Sequence, residues 1–230
     1  MNNTVAILDS FYAYSFGCKP ENLRDNNLTL VSKEDIGIKF AKGYPLGFLS
    51  MDTKNGCIAV VKNDFVEHVK SILENKTRID MISRFNIVSA IEKRTFLKEW
   101  FTGVRFYCDK NSFIDCSFGK IEDITNSDEW AIDYCKKWHG KVFGQIADGK
   151  IVSRAAVKIL SDDVADLRVE TDNDHRGKGY AKSVVSAALK QIFDSGRVAG
   201  WGTDVDNKAS INTAVSVGFE YYADDFGCII

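Results

Sequence analysis

Residues 171–181, Thr-Asp-Asn-Asp-His-Arg-Gly-Lys-Gly-Tyr-Ala, combine the ingredients of an anion site. Two glycines and two cations separate an apolar, strand-like run at 164–171 from an amphipathic helical run that begins near Gly179. The first N–H groups of a helix have no intrahelical partner, and the helix dipole adds positive potential there. Glycines let that backbone close on a bulky anion, and Arg176 and Lys178 supply charge. The ligand class this predicts is a phosphate or pyrophosphate. Two nucleotide loops fit poorly: G-x-x-x-x-G-K-[ST] is absent, and Lys182 stands where a dinucleotide fingerprint needs its third glycine.

Other groupings carry less chemistry. Cys108, Cys116, Cys135 and His139 follow a C-x7-C-x18-C-x3-H spacing, unlike the compact pairs of structural zinc sites, so no metal is expected. No G-x-S-x-G nucleophile elbow occurs. His68 falls on a surface helix with no partner in the pattern. Trp201 lies in a strand beside the proposed cleft, and its simplest role is core packing.

The loop has a companion further along the chain. Arg176-Gly177-Lys178-Gly179-Tyr180-Ala181 resembles the R/Q-x-x-G-x-G/A acetyl-CoA loop of the GNAT acyltransferase superfamily. Asn207-Lys208-Ala209-Ser210 and Gly218-Phe219 resemble that superfamily's N-x-x-[AS]…G-F segment, at its spacing and on matching elements. Residues 142–157 are similar to the preceding hairpin of a bacterial subgroup with an N-terminal extension. The resemblance covers about residues 115–230 and implies an acetyl-CoA-dependent N-acetyltransferase acting on an amine. Backbone groups of Val169 and Thr171 would bond the pantetheine arm as an added strand would. N–H groups of Gly177, Lys178, Gly179, Tyr180 and Ala181 would hold the pyrophosphate, with the Arg176 and Lys178 side chains nearby. Asn207 would bond the pantetheine, with Ser210 beside it, and His175 would pack where family members commonly have an aromatic residue. A backbone N–H in the 164–171 strand, where the family usually has a bulge, would polarise the thioester.

The catalytic half of the pattern departs from the family. The usual tyrosine acid, seven residues after the asparagine, is Ala214 here. Tyr221, Tyr222 or water would have to replace it. Asp166 and Glu170 are the candidate bases, but strand alternation sets both on the face opposite Thr171 unless a bulge flips the register. An acyl-CoA-binding sensor or scaffold with little catalysis is therefore the alternative. A binder of some other phosphorylated ligand through the same loop is a third reading.

The surrounding elements must position these groups. Residues 142–147 and 151–160 flank Asp148-Gly149, a strong hairpin signal. Helical spacing is found at 127–138, at 179–193 through Val184, Val185, Ala188, Leu189 and Ile192, and at 208–217. Strands are expected at 164–171 and 198–205, with a closing hairpin over 219–230. In the first half, strands are expected at 28–31 and 57–61, helices at 64–76 and from 79 towards 100, and an extended run at 103–118. The predicted fold is α/β (α+β), a GNAT-like mixed sheet flanked by helices at 111–230, with a smaller N-terminal α/β domain at 1–110.

The 230 residues, 45% hydrophobic and 27% charged, exclude a disordered chain and a disulfide miniprotein. A net charge of −2 gives no general attraction to nucleic acid or anionic membranes. No apolar run reaches the roughly 20 residues of a membrane span, and Asn2 and Asn3 stand where a signal peptide carries basic residues. A cytoplasmic protein with six free thiols is expected, its partners acetyl-CoA and an amine acceptor, with a homodimer left open.

Overall fold

The computed structural model describes residues 3–37, 45–127 and 129–230. The chain forms two compact units, Met1–Arg105 with Tyr222–Ile230, and Phe106–Tyr221. Among the described residues no helix is long and apolar enough to cross a membrane.

In the first unit, α1 (Asn3–Phe16) precedes β1 (Leu28–Lys33), β2 (Leu46–Asp52), β3 (Cys57–Lys62), α2 (Val66–Leu73) and α3 (Met81–Glu92). β1 is parallel to β3, β3 is antiparallel to β2, and β2 is antiparallel to the last strand, β10 (Glu220–Ile229). Phe65, Val69 and Leu73, spaced for one helical face, bury against Phe48, Val61, Ile87 and Phe226. Two expectations are corrected here. The helix predicted from residue 79 towards 100 stops at Glu92, the N–H groups of Arg94 and Thr95 close on the Ile91 carbonyl, and Glu99–Cys108 is strand β4. Leu97 and Trp100 satisfy helical spacing in sequence, and no glycine or proline marks the stop. The closing hairpin is a single strand, β10, whose Asp224–Ile229 segment pairs with β2. Gly227 lies inside it because a Cβ there would sit 2.4 Å from the Phe101 ring. Through β10, residues 222–230 join the first unit rather than the second. No local pattern in the sequence marks α1, whose apolar residues fall on every face, or β2.

A polar cluster lies buried in this unit. Asp9 of α1 accepts from Arg24 (Nε, 2.8 Å; Nη2, 2.6 Å) and from the Tyr222 hydroxyl (2.8 Å), and the Tyr12 ring stacks on Tyr222 at 5.2 Å. Burial, reinforced by the Asp9 carboxylate, holds the Tyr222 phenol far above the usual tyrosine range. Removing the carboxylate leaves a guanidinium and a phenol without it. Asp9→Ala is expected to cost about 2 kcal/mol in urea unfolding; a loss below about 0.5 kcal/mol, the scale of an ordinary surface substitution, would contradict this account.

The second unit contains β5 (Lys120–Asp123), α4 (Glu129–Trp138), β6 (His139–Ala147), β7 (Lys150–Ile159), β8 (Val164–Thr171), α5 (Tyr180–Asp194), β9 (Val198–Asp204) and α6 (Lys208–Ser216). Its strands lie in the order β9-β8-β7-β6-β5, with β8 and β9 parallel and the β5 to β8 neighbours antiparallel, so the sheet is mixed and flanked by helices. Asp148 and Gly149 both take positive φ, 50° and 73°, the type I′ turn that joins β6 and β7. The apolar stripe of α5 is buried as its spacing predicts, and Ser183 and Ser186 are buried with it. These two hydroxyls accept from the N–H groups of Phe118 (2.9 Å) and Cys116 (3.0 Å), fastening the irregular segment after β4 along α5. The extended run predicted to residue 118 therefore ends as strand at Cys108 and continues as a strap.

Candidate functional site

The site begins where two strands part. β8 and β9 pair only at Val164↔Val198, Ala165↔Ala199 and Asp166↔Gly200, although β8 runs on to Thr171 and β9 to Asp204. On its other edge β8 stays paired with β7 as far as Thr171, in one unbroken register. The Asp172 N–H bonds the Val152 carbonyl at 3.0 Å, which fixes the alternation. Backbone groups of residues 168, 170 and 172 face β7, and those of 167, 169 and 171 face the opening. The Leu167 N–H is taken by Asp166 Oδ1 (2.8 Å), and the Thr171 carbonyl accepts from Arg176 Nε (3.3 Å). The amide edge at Val169 is left facing the cleft.

The unbroken register corrects the expectation of a bulge in this strand. With no extra residue to flip the pleat, Asp166, Arg168 and Glu170 stay on the face opposite Leu167, Val169 and Thr171. Glu170 Oε1 accepts from Arg168 Nε at 2.9 Å, and the Arg168 guanidinium lies 5.8 Å from the centroid of the Trp130 ring of α4.

Beyond Thr171 the chain makes one 3-10 turn, Asn173–His175, and reaches the glycines. Gly177 and Gly179 both have left-handed φ, 75° and 85°, a conformation that costs a side-chain-bearing residue about 1–2 kcal/mol. A Cβ on Gly177 would meet nothing within 4 Å, so the backbone is open to an approaching group. α5 starts at Tyr180, and its first N–H groups have no carbonyl one turn back. The Tyr180 ring stacks on Phe118 (5.6 Å) and lies 6.1 Å from His175, so His175 packs in the aromatic layer beneath the loop.

The opposite wall is β9 and α6. Asn207 caps α6, its Oδ1 accepting from the Ser210 N–H at 3.1 Å. Ser210 Oγ in turn accepts from the Trp201 indole N–H at 3.0 Å. Ala209, Asn212, Thr213 and Ser216 turn one face of α6 to the cleft, whereas Ala214 is fully buried away from it. Gly218 ends this wall and admits the Ser112 carbonyl of the strap.

Together these elements enclose a cleft of about 930 Å³ within the second unit. It is lined by Val169, Glu170, Thr171, Arg176, Gly177, Gly179, Tyr180, Ala181, Asn207 and Ser210, brought together from three separate stretches of chain. Lys178 and Asp166 are not part of the lining, and Tyr222 belongs to the first unit with its hydroxyl bonded to Asp9. Leu167, Arg168, Lys182, Thr203 and Thr213 also line the cleft, and no motif in the sequence gives them a role there. Lys182 could have been found from its place in the first turn of α5. The others depend on where the β8–β9 ladder ends, which no local pattern encodes.

No cysteine lines the cleft, and burial pushes Cys108 up to about 11 and Cys57 and Cys228 up to about 12, so these thiols stay protonated at neutral pH. Among the described residues no group of three or more His, Cys, Asp or Glu could hold a metal ion.

A family model described as GNAT acetyltransferase matches residues 58–224. Among solved structures, an acetyltransferase from the GNAT family of Novosphingobium aromaticivorans is 16% identical over 58% of this chain and 66% of that one, with a TM-score of 0.47. A GCN5-related N-acetyltransferase from Kribbella flavida is 15% identical over 62% of each chain, again at 0.47. A GNAT-family acetyltransferase from Colwellia psychrerythraea is 13% identical over 81% of this chain and 82% of its own, also at 0.47. This chain thus spans just under two thirds of the length of the first two. A search of curated proteins gives no match.

Proposed function

The chain belongs to the GNAT acetyltransferase family, and we propose that it transfers an acetyl group from acetyl-CoA to an amine. The observation that carries this reading is the fork between β8 and β9, which opens into the glycine loop at the head of α5 within one cleft. An extended pantetheine arm matches the amide edge left at Val169 and Thr171. N–H groups from Gly177 to Ala181 meet the pyrophosphate, and Arg176, Lys178 and Lys182 balance its charge. The Asn207 amide and Ser210 border the arm from α6. An amine would be bound as its ammonium form and must lose a proton before it attacks.

When bound, acetyl-CoA would supply a thioester: the amine nitrogen bonds its acyl carbon, the C–S bond breaks, and CoA leaves as a thiolate that takes its proton from water. The protein's part is positioning and proton handling. Because Asp166 already holds the Leu167 N–H, the Val169 N–H is the donor that polarises the thioester carbonyl. Glu170 lines the cleft and takes the amine proton, its carboxylate steadied by Arg168. Asp166 acts as a positioning residue through Leu167. Tyr222 has no part in this scheme, since its phenol proton is committed to Asp9.

Thermal shift with acetyl-CoA, free CoA, ATP and NAD tests the donor. Stabilisation by the first two alone is expected; stabilisation by ATP or NAD with none from CoA would sink the reading. Thiol release from acetyl-CoA with a panel of primary amines then tests transfer. A second reading, a module that binds acyl-CoA with little turnover, is favoured by the buried Ala214 at the family's acid position. CoA binding without amine-dependent thiol release would select it. Ala214→Tyr is expected to lower stability by about 1–3 kcal/mol through overpacking. An undiminished melting temperature would show that the site has room for a tyrosine.

A further inference from the structure

Trp201 sits immediately past the fork. Asp166↔Gly200 is the last rung between β8 and β9, so Leu167 and Trp201 are the first residues beyond it on either side, and both line the closed end of the cleft. Trp201 is only 5% exposed, and its indole is held from two directions. The ring N–H donates to Ser210 Oγ at 3.0 Å, and the ring meets Phe219 edge-on at 5.3 Å. An indole locked in this way cannot swing aside without breaking a half-buried hydrogen bond and an aromatic contact. The strand neighbours of Trp201, Gly200 and Gly202, carry no side chains and point to the other face of the sheet. At this depth, the side-chain bulk that β9 presents to the cleft is therefore the indole alone.

We propose that Trp201, with Leu167 opposite, fixes the acyl-chain length that the cleft accepts, admitting acetyl and excluding chains of four or more carbons. The inference rests on the acyl-CoA reading above. A pantetheine arm laid along the Val169 edge ends at the fork, which brings its acyl group against the indole. Each further methylene would have to displace packed atoms, and a close-packed wall does not yield continuously.

The test is calorimetry on the full chain with free CoA, acetyl-CoA, butyryl-CoA and octanoyl-CoA, for wild type and Trp201→Leu. In wild type, butyryl-CoA and octanoyl-CoA are expected to bind at least about tenfold more weakly than acetyl-CoA. Trp201→Leu is expected to bring butyryl-CoA to within about threefold of acetyl-CoA, since the shorter side chain removes most of the wall. Should Trp201→Leu fail to fold, Trp201→Phe, which retains a ring but shortens it, is measured in its place. Equal wild-type affinity for all chain lengths would overturn the inference and leave the acyl-CoA reading standing, because the indole would then set no limit on the chain. Unchanged discrimination in the folded variant would overturn it too. If neither CoA nor acetyl-CoA binds wild type, the acyl-CoA reading itself falls, and the inference with it.

Discussion

Gly177→Glu is expected to weaken acetyl-CoA binding by at least about a hundredfold in calorimetry, or about 2.7 kcal/mol. Two effects add. A carboxylate within about 4 Å of a pyrophosphate charge repels it by about 1–4 kcal/mol, depending on how much water remains between them. The left-handed φ of 75° at this position also disfavours any side chain, so the backbone shifts and its N–H groups lose their aim. Because a Cβ here touches nothing within 4 Å, the substitution leaves the packing of the unit intact. Gly177→Ala separates the two effects: it has the same φ penalty without the charge and is expected to lose about thirtyfold or less, the 1–2 kcal/mol of that penalty. Equal acetyl-CoA affinity in wild type and Gly177→Glu would remove the loop from the binding site. A loss as large in Gly177→Ala would show that conformation, rather than charge, is what the loop contributes.

Gly218→Ala is expected to be the most destabilising single-methyl change in the second unit, at about 3–5 kcal/mol in urea unfolding, from backbone strain and overpacking combined. Gly218 has φ 94°, and a Cβ there would lie 1.9 Å from the Ser112 carbonyl oxygen and 3.1 Å from the Ile114 nitrogen. Both contacts are backbone, so neither can turn away as a side chain would. Relief requires moving the strap whose Ile114 N–H bonds the Val217 carbonyl at 3.1 Å. That strap also carries Phe118, which stacks on Tyr180 at the head of α5. The variant is therefore expected to weaken acetyl-CoA binding as well, although residue 218 does not line the cleft. A cost below about 1 kcal/mol, the middle of the range for point mutations, would mean that the strap moves freely.

The sequence by itself determined the parts whose physics is local. The Asp148-Gly149 turn needs two adjacent residues at positive φ, and that dipeptide supplies them. The stripe of α5 is set by side chains three and four residues apart, and the Asn207 cap by a bond to an N–H three residues on. The glycines and cations of residues 176–181 lie within one turn of each other, so their chemistry was legible before any fold was known. Trp201 read as core, and the structure buries it, but its place at the end of the fork was not visible in the strand pattern. Alternation with period two is the same in a paired strand and in one that has left its neighbour. Nothing in Val164–Thr171 therefore marks Asp166 as the last rung, and only the divergence of β8 from β9 exposes the amide edge at Val169. Tyr222 is the sharpest case of a tertiary decision. Beside Tyr221 in sequence it looked available for proton transfer, yet its hydroxyl bonds Asp9, 213 residues away. β10 was similarly opaque, because its partner β2 lies more than 170 positions earlier and no turn between them announces the pairing. Contacts of that separation are chosen by the burial of whole faces, and a sequence window short enough to show a motif cannot contain both sides of them.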